Sequence, residues 1–284
     1  MARITATSSL GWAHYTLYEA LSRIKARGFR RVEIASFYSY CFHFNFGSPT
    51  PSELKQMLAD LKLEPVCLNY CGSKQEAWHK EEIDRFVGDW TRKLEHVADV
   101  GIPMMTMLFG TRNDRPDQEA QLANSVEAYD RVGEAAARFG IRMLLEVPHL
   151  WTIIWGPEQV LWVMERLSSE NVGALVDSSH WGISGYDLDA FFDELGDRLW
   201  HVHLRDSQGP DKADWNQDLE LTPGKGSVDF GKFARTLDRV GYAGDVSLDF
   251  EYRDMTLDGI EREYDAGLEY LVRAGWEVGE GVKY

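Results

Sequence analysis

The stretch Leu199-Trp200-His201-Val202-His203-Leu204-Arg205-Asp206 alternates apolar side chains with two imidazoles. This period-two spacing is typical of a β-strand, and it puts His201 and His203 on one face of that strand. The apolar face belongs to a core. The histidine face must meet hydrogen-bond partners or a metal ion, because a buried polar group without a partner is costly. A pair of histidines bonded to core carbonyls is the simpler interpretation, so the other strand ends decide between the two.

Outward from this stretch, strand-like and helix-like segments alternate along the chain. Eight predicted strands cover residues 3–10, 31–36, 64–70, 104–110, 141–147, 172–177, 199–207 and 245–250. A helix-like segment follows each of them. Eight such units are the number that closes a (β/α)₈ barrel, so we predict an α/β fold with a single barrel domain over residues 1–284.

A doubly wound open sheet is the structural alternative. That fold normally has a Gly-rich turn after its first strand, and Ser8-Ser9-Leu10-Gly11-Trp12 is not such a turn. One helix start is predicted in detail. Thr50 caps the helix, Pro51 takes its first position, and Glu53 completes a capping box.

Composition excludes several classes of function. The 284 residues carry 30 Lys and Arg against 46 Asp and Glu, a net charge of −16, which disfavours nucleic acid as a partner. Cys41, Cys67 and Cys71 form no CxxC motif and indicate reduced thiols. The first residues lack an apolar signal core, and no apolar run has membrane-spanning length. We therefore expect a cytoplasmic protein without a membrane partner.

Four consecutive predicted strands end in acids or imidazoles, at positions where barrels place their chemistry. The groups are Glu146, Asp177, His180, His201, His203, Asp206, Asp249 and Glu251. Converging carboxylates raise one another's pKa unless a cation lies between them. The set predicts a divalent metal ion. Oxygen donors with one imidazole suit Mn²⁺, which we take as the first candidate, or Mg²⁺, Co²⁺ or Zn²⁺.

The same strand ends carry a longer pattern. An acid ends strand five, Val-Asp-x-x-His ends strand six, His-x-His-x-x-Asp forms strand seven, and an acid ends strand eight. The chain also contains Pro223-Gly224-Lys225-Gly226 and Gly241-Tyr242-Ala243-Gly244. Over nearly its whole length it resembles the xylose isomerase-like barrels. That family includes sugar isomerases and epimerases, inosose and dehydroshikimate dehydratases, and enzymes acting on 3-keto-glycosides.

The resemblance implies a set of metal ligands. Glu146, Asp177 and His203 match three ligand positions of the family. The fourth position, a glutamate in the family, falls on Asp249, which is one methylene shorter. Glu251 has the same strand parity and is the substitute ligand or a catalytic acid or base.

Substrate contacts are implied as well. The resemblance makes His180 a partner of substrate hydroxyls, and it makes Arg205 and Asp206 residues that orient the substrate. From position alone, His149 is a candidate general base because it follows Glu146 closely. Further candidates for contacting the substrate are Trp12 and Lys225, with the aromatic loop 37–46, Trp151, and a long loop that contains Trp215.

These groups suit one type of chemistry. A metal that holds a carbonyl and the adjacent hydroxyl stabilises the enediolate formed when a neighbouring C–H proton leaves. Glu146 and Asp249, or Glu251, can remove and return that proton. We therefore expect a metal-dependent isomerase or epimerase of a ketose or keto-sugar derivative. The alternative is a lyase, a dehydratase or β-elimination enzyme, acting on a keto-cyclitol, keto-sugar or 3-keto-glycoside.

Other classes fit less well. A metal-dependent nuclease shares this kind of barrel, but it needs more histidine ligands and a basic groove. A binding barrel without activity would have lost its ligands. A phosphate clamp needs clustered cations, and Arg112, Arg205, Lys225 and Arg253 are scattered, which favours an unphosphorylated carbohydrate substrate. Trp276 and Tyr284 either pack on a second copy, as in a homo-oligomer, or cap the chain locally.

Overall fold

Eight parallel strands pair in sequence order and close into a barrel, as predicted. The computed structural model describes residues 2–71, 79–108, 110, 118–149, 152–209, 218–253 and 255–284. The barrel strands are β2 (Ala6–Ser8), β3 (Arg31–Phe37), β4 (Glu64–Cys71), β5 (Met104–Thr106), β6 (Arg142–Glu146), β7 (Val172–Asp177), β8 (Leu199–Leu204) and β9 (Asp245–Leu248).

Helices cover the outside of the barrel. They are α1 (Leu17–Ala26), α2 (Pro51–Leu61), α3 (Lys80–Val100), α4 (Gln118–Ala137), α5 (Pro157–Arg166), α6 (Ser178–Ser184), α7 (Leu188–Leu195), α8 (Phe230–Arg239) and α9 (Leu257–Arg273). Short 3₁₀ helices span Ser9–Trp12 and Gly196–Arg198. Among the helices described, none combines the length and the apolar character needed to cross a membrane.

The first predicted strand is divided in two. Only β2 joins the barrel, whereas β1 (Arg3–Ile4) pairs in parallel with β10 (Glu277–Val278). Trp276, just before β10, is buried and donates from Nε1 to the carbonyl of Phe230 at 3.1 Å. Trp276 therefore packs within its own chain and caps it locally.

The predicted start of α2 is confirmed in detail. Pro51 is the first helical residue, and the Thr50 hydroxyl accepts a hydrogen bond from the Glu53 amide at 3.3 Å. The Glu53 carboxylate accepts one in return from the Thr50 amide at 2.8 Å. These reciprocal bonds satisfy amides that a helix start otherwise leaves unpaired.

The barrel interior changes from apolar to polar along the strands. An apolar cluster fills its lower part, formed by Ala6, Val66, Cys67, Met104, Leu144 and Leu175. Glu146 and Asp177 each follow a member of this cluster by two residues, so they share its face of the sheet one layer higher. The strand pattern thus puts carboxylates inside the barrel at the ends of β6 and β7.

Candidate active site

The predicted site residues from four strands meet at the upper end of the barrel. Glu146, Asp177 and His203 each offer one ligand atom, and these atoms lie within 4.8 Å of one another. Asp249, directly after β9, has its Oδ2 3.3 Å from His203 Nδ1. All four side chains are buried. The structure therefore brings together the acids and the imidazole that the sequence singles out.

One guanidinium lies in the middle of this cluster. Arg205 donates from Nη2 at 2.6 Å and from Nε at 2.9 Å to a single oxygen of Asp177. Carboxylate oxygens of five residues lie within 4 Å of it, from Glu146, Asp177, Glu220, Asp249 and Glu251. Arg253 adds a second guanidinium beside Glu220 and Glu251, and acids packed this closely shift one another's pKa values.

The pKa values of Glu146 and Asp177 are shifted in opposite directions by burial and by neighbouring charges. Burial raises the pKa of Glu146 to about 8, although His203 and Arg205 favour the charged carboxylate. Burial also disfavours charge on Asp177, but Arg205, His180 and His203 overcome it and hold its pKa well below the usual range. One carboxylate thus stays charged while its neighbour holds a proton near neutral pH.

Two more imidazoles lie against Glu146. The rings of His149 and His180 have centroids 4.2 Å apart, and His180 Nε2 is 3.9 Å from Glu146 Oε1. Burial lowers the pKa of His180 to about 4 and also lowers that of His149 below its usual value. Both rings are therefore neutral near pH 7 and can exchange protons with a ligand.

The cluster forms one end of a cavity of about 390 Å³. Glu146, His149, His180, Arg205, Asp249 and Glu251 provide its polar surface. The rest of the wall is aromatic and apolar, with Arg253 at one side, and includes Phe37, Tyr38, Tyr40, Cys71 and Leu108. Tyr38 and Tyr40 of the β3–α2 loop thus supply the aromatic side of the cavity, together with Phe37 at the end of β3.

Glu251 is buried in a network of its own. Its Oε2 accepts from Arg205 Nη1 at 3.0 Å, while Oε1 accepts from Arg253 Nε at 2.7 Å and from the Tyr40 hydroxyl. Arg253 also donates to Glu220 at 3.3 Å. Burial and the charge of Glu251 raise the pKa of Glu220 to about 10. The partners Tyr40 and Glu220 were not singled out in the sequence.

Three predicted substrate contacts lie elsewhere. Trp12 is fully buried and donates from Nε1 to Glu261 at 3.2 Å. The Asp206 carboxylate accepts four backbone amides, and Lys225 pairs with Glu263 at 2.5 Å. Among the described residues that line the cavity, none of the three occurs. Trp151, Trp215 and Arg112 lie outside the described residues.

Glu33 is a further residue beside the cluster that was not singled out in the sequence. It lies on β3, is fully buried, and accepts hydrogen bonds from His201 Nε2 at 2.8 Å and from His203 Nε2 at 2.9 Å. Burial disfavours its charge, but the two histidines more than compensate and lower its pKa. Glu33 could have been found in the sequence, because it is an acid between Val32 and Ile34 in a largely apolar strand.

A profile of the xylose isomerase-like TIM barrels matches residues 21–274. The chain belongs to the xylose isomerase-like TIM barrel family.

Curated relatives in this family have different activities. A 3-dehydroshikimate dehydratase of Pseudomonas aeruginosa is 27% identical over 256 residues, which are 88% of this chain and 38% of that protein. A ketose 3-epimerase of Arthrobacter globiformis is 32% identical over 133 residues, covering 46% of this chain and 42% of the epimerase. The chain therefore spans less than half the length of each of these relatives.

Solved xylose isomerase-like barrels have the same fold. The D-psicose 3-epimerase of Clostridium cellulolyticum H10, solved with D-tagatose, has a TM-score of 0.77 at 15% identity, covering 96% of this chain and 99% of its own. The IOLI protein, solved with a bound zinc atom, has a TM-score of 0.76 at 17% identity, with coverages of 96% and 99%. At these identities the similarity concerns the fold alone.

Proposed function

We propose that this protein is a divalent-metal-dependent isomerase or epimerase acting on a ketose or keto-sugar derivative. The observation that carries the proposal is the buried cluster of Glu146, Asp177 and His203, with Asp249 beside it, at the mouth of the barrel. Such a cluster, open to a cavity of ligand size, is typical of a metal site that also binds a substrate.

The residues present fit a divalent cation. Glu146, Asp177 and His203 offer ligand atoms within 4.8 Å of one another, a spacing in which a cation can replace the proton that Glu146 holds near neutral pH. Glu146, Asp177, His203 and Asp249 would hold the ion. Three carboxylates and one imidazole suit Mn²⁺, Mg²⁺, Co²⁺ or Zn²⁺, and the zinc in the IOLI structure supports this choice. When bound, the ion supplies the positive charge that stabilises an enediolate.

The chain's own residues then move protons. Glu146, which lines the cavity, is suited to exchange a proton with the carbon next to the substrate carbonyl. Asp249 or Glu251 reaches the cavity from another strand and returns a proton. Return to the opposite face gives an epimer, and return to the neighbouring carbon gives an isomer. Neutral His180 and charged Arg205 orient the hydroxyls, and His149 is the alternative base.

A lyase is the second candidate. The aromatic wall formed by Phe37, Tyr38 and Tyr40 favours a substrate with a flat ring or an apolar group beside its keto-sugar part. The dehydratase among the curated relatives supports this candidate too. In that reaction the same proton removal expels a β-leaving group. The substrate in either case is a small carbohydrate or cyclitol.

Proton NMR in D₂O tests the proposal. The protein, stripped and reloaded with Mn²⁺ for turnover, is incubated with ketoses, inososes and 3-keto-glycosides, and spectra are taken after the metal is removed. Deuterium at a carbon next to the carbonyl, with the skeleton intact, supports an isomerase or epimerase. An unsaturated product or a released aglycone supports the lyase. We expect Glu146→Gln to slow exchange at least about 100-fold. No metal-dependent exchange or elimination with any substrate would contradict both candidates.

A further inference from the structure

Glu33 connects two histidines inside the barrel, one of which, His203, is a candidate metal ligand. A single carboxylate oxygen, Oε2, accepts the hydrogen bonds from His201 Nε2 and His203 Nε2. All three side chains are fully buried, so water does not compete for these bonds. The carboxylate thus determines which nitrogen of each ring carries a proton.

Glu33 also determines which nitrogen of His203 faces the carboxylates of the cluster. Because Nε2 donates to Glu33, the other nitrogen, Nδ1, is the one that faces the carboxylates of the cluster. It lies 3.3 Å from Asp249 Oδ2 and 3.9 Å from Asp177 Oδ2. A metal ligand must present an unprotonated nitrogen, and a carboxylate on the far nitrogen is a general way of ensuring this.

We infer that Glu33 is a positioning residue for metal binding: it fixes His203 with a proton on Nε2 and with Nδ1 turned toward the ion. This inference rests on the proposed function, because it assumes that His203 is a ligand. Glu33 itself is not among the described residues that line the cavity. Its effect is transmitted through one imidazole ring.

The triad has a second possible use that the experiment must separate. Glu33, His201 and His203 also offer three ligand atoms within 4.8 Å of one another, a spacing that suits a buried cation. The N–O distances of 2.8 and 2.9 Å are those of ordinary hydrogen bonds, and these account for the geometry without an ion. A positioning role for Glu33 predicts one bound ion per chain, whereas a ligand role predicts two.

Metal titration of matched variants is the test. Glu33→Gln keeps the side-chain volume but removes the charge that holds Nε2–H. His201→Gln is the control, because it alters the other partner of the same oxygen and leaves the bond to His203. By calorimetry with Zn²⁺, we expect one ion per wild-type chain. We expect Kd to rise about 10- to 100-fold in Glu33→Gln and less than about tenfold in His201→Gln.

Nitrogen NMR of the wild-type protein provides a readout that does not depend on the folding of Glu33→Gln. With ¹⁵N-labelled histidine and bound Zn²⁺, we expect His203 to carry its proton on Nε2 and to have no proton on Nδ1. The spectrum of His201→Gln assigns the two neighbouring rings. A proton on Nδ1 would overturn the inference, as would an unchanged Kd in folded Glu33→Gln.

The remaining outcomes are also decisive. Two ions per wild-type chain, one of them lost in Glu33→Gln, would make Glu33 a ligand and overturn its positioning role. Absence of Zn²⁺ binding by the wild-type protein would overturn the proposed function together with this inference. An unchanged Kd in Glu33→Gln, beside normal binding by the wild type, overturns the inference alone.

Discussion

Asp249 and Glu251 are two acids of one strand end with different surroundings. Asp249 lies beside His203, whereas both carboxylate oxygens of Glu251 accept hydrogen bonds from Arg205, Arg253 and Tyr40. Of these two acids, Asp249 is the one that already lies next to the candidate ligand His203. We therefore propose Asp249 as the fourth ligand and Glu251 as an acid or base of the cavity.

The first prediction separates these two acids. Asp249→Asn should raise the Kd for Mn²⁺ by more than about 100-fold, beyond the loss typical of residues behind the ligands. Glu251→Gln should change it by less than about tenfold while slowing proton exchange. Calorimetry and exchange NMR measure the two effects. A larger loss of affinity in Glu251→Gln than in Asp249→Asn would reverse the assignment.

Single residues also show how far the sequence could predict the site. Glu146, Asp177, His203 and Asp249 were predictable, because polar residues at the ends of apolar strands are conspicuous. Glu33 lies within a strand, and its partners are more than 160 residues away in sequence. Strand parity alone does not say which face of a strand turns into the barrel. Only barrel closure makes Glu33 and the β8 histidines neighbours.

The loop at residues 222–228 is held by one carboxylate. Asp206 accepts hydrogen bonds from the amides of Ser207, Gly224, Gly226 and Val228, at distances from 2.8 to 3.1 Å. The Pro-Gly-Lys-Gly segment therefore wraps around a buried acid. The family resemblance suggested a substrate contact for Asp206, but these four amides saturate its oxygens.

The second prediction concerns this loop. Asp206→Asn places an NH₂ group against two backbone amides, so we expect the free energy of unfolding to fall by about 3 kcal/mol. Lys225→Ala is the control on the same loop. It removes only an exposed ion pair with Glu263 and should cost less than about 1 kcal/mol. Urea denaturation measures both, and equal losses would argue against this role of Asp206.

The aromatic loop after β3 is anchored by a neutral histidine. His43 Nε2 donates to the Tyr15 carbonyl at 3.0 Å, and Nδ1 accepts from the Ser9 hydroxyl at 2.9 Å. Burial lowers the pKa of His43 to about 4, below the usual 6.5. As the pH falls below 6.5, His43 becomes protonated in the unfolded chain but stays neutral in the folded protein. Stability is therefore lost between pH 6.5 and 4 and is unaffected above that range.

The third prediction follows from this pKa. Between pH 7 and 4.5, His43 should account for about 2 to 3 kcal/mol of the loss in unfolding free energy. At pH 7, His43→Gln should have a lower free energy of unfolding than the wild type. Between pH 7 and 4.5, however, its free energy of unfolding should fall by about 2 to 3 kcal/mol less than that of the wild type. Urea denaturation of both proteins at the two pH values gives the difference. Parallel pH dependences would mean that His43 is protonated in the folded protein.

Helix and strand features that depend on a few consecutive residues were predicted well. Features that depend on pairing with residues far away in the sequence were not. The capping box at Thr50 depends on four consecutive residues and was correct in every detail. The strand predicted over residues 3–10 divides because β1 pairs with β10, more than 270 residues away, while β2 pairs with β3 and β9. A β-prone run does not indicate which partner each of its residues will have.

At the scale of the whole molecule, the residues of the candidate metal site come from four strands of the barrel. An ion held by β6, β7, β8 and the residue after β9 binds the folded barrel and not the separated strands. The fourth prediction is therefore that chelation lowers unfolding free energy. At a free ion concentration of 100 times Kd, the expected gain from reloading is about 2.7 kcal/mol. Thermal unfolding with and without chelator measures it, and Asp177→Asn should show no such gain.

The parallel pair of β1 and β10 has a consequence for rearranging the chain. Arg3 is paired with Glu277, so the segments near the two termini lie side by side, about 5 Å apart as neighbouring strands are. They lie below the barrel, on the side away from the cavity. A short linker can therefore join them, and new ends can be opened in a surface loop between a helix and the next strand. Such a circular permutant should keep the barrel and leave its mouth unobstructed.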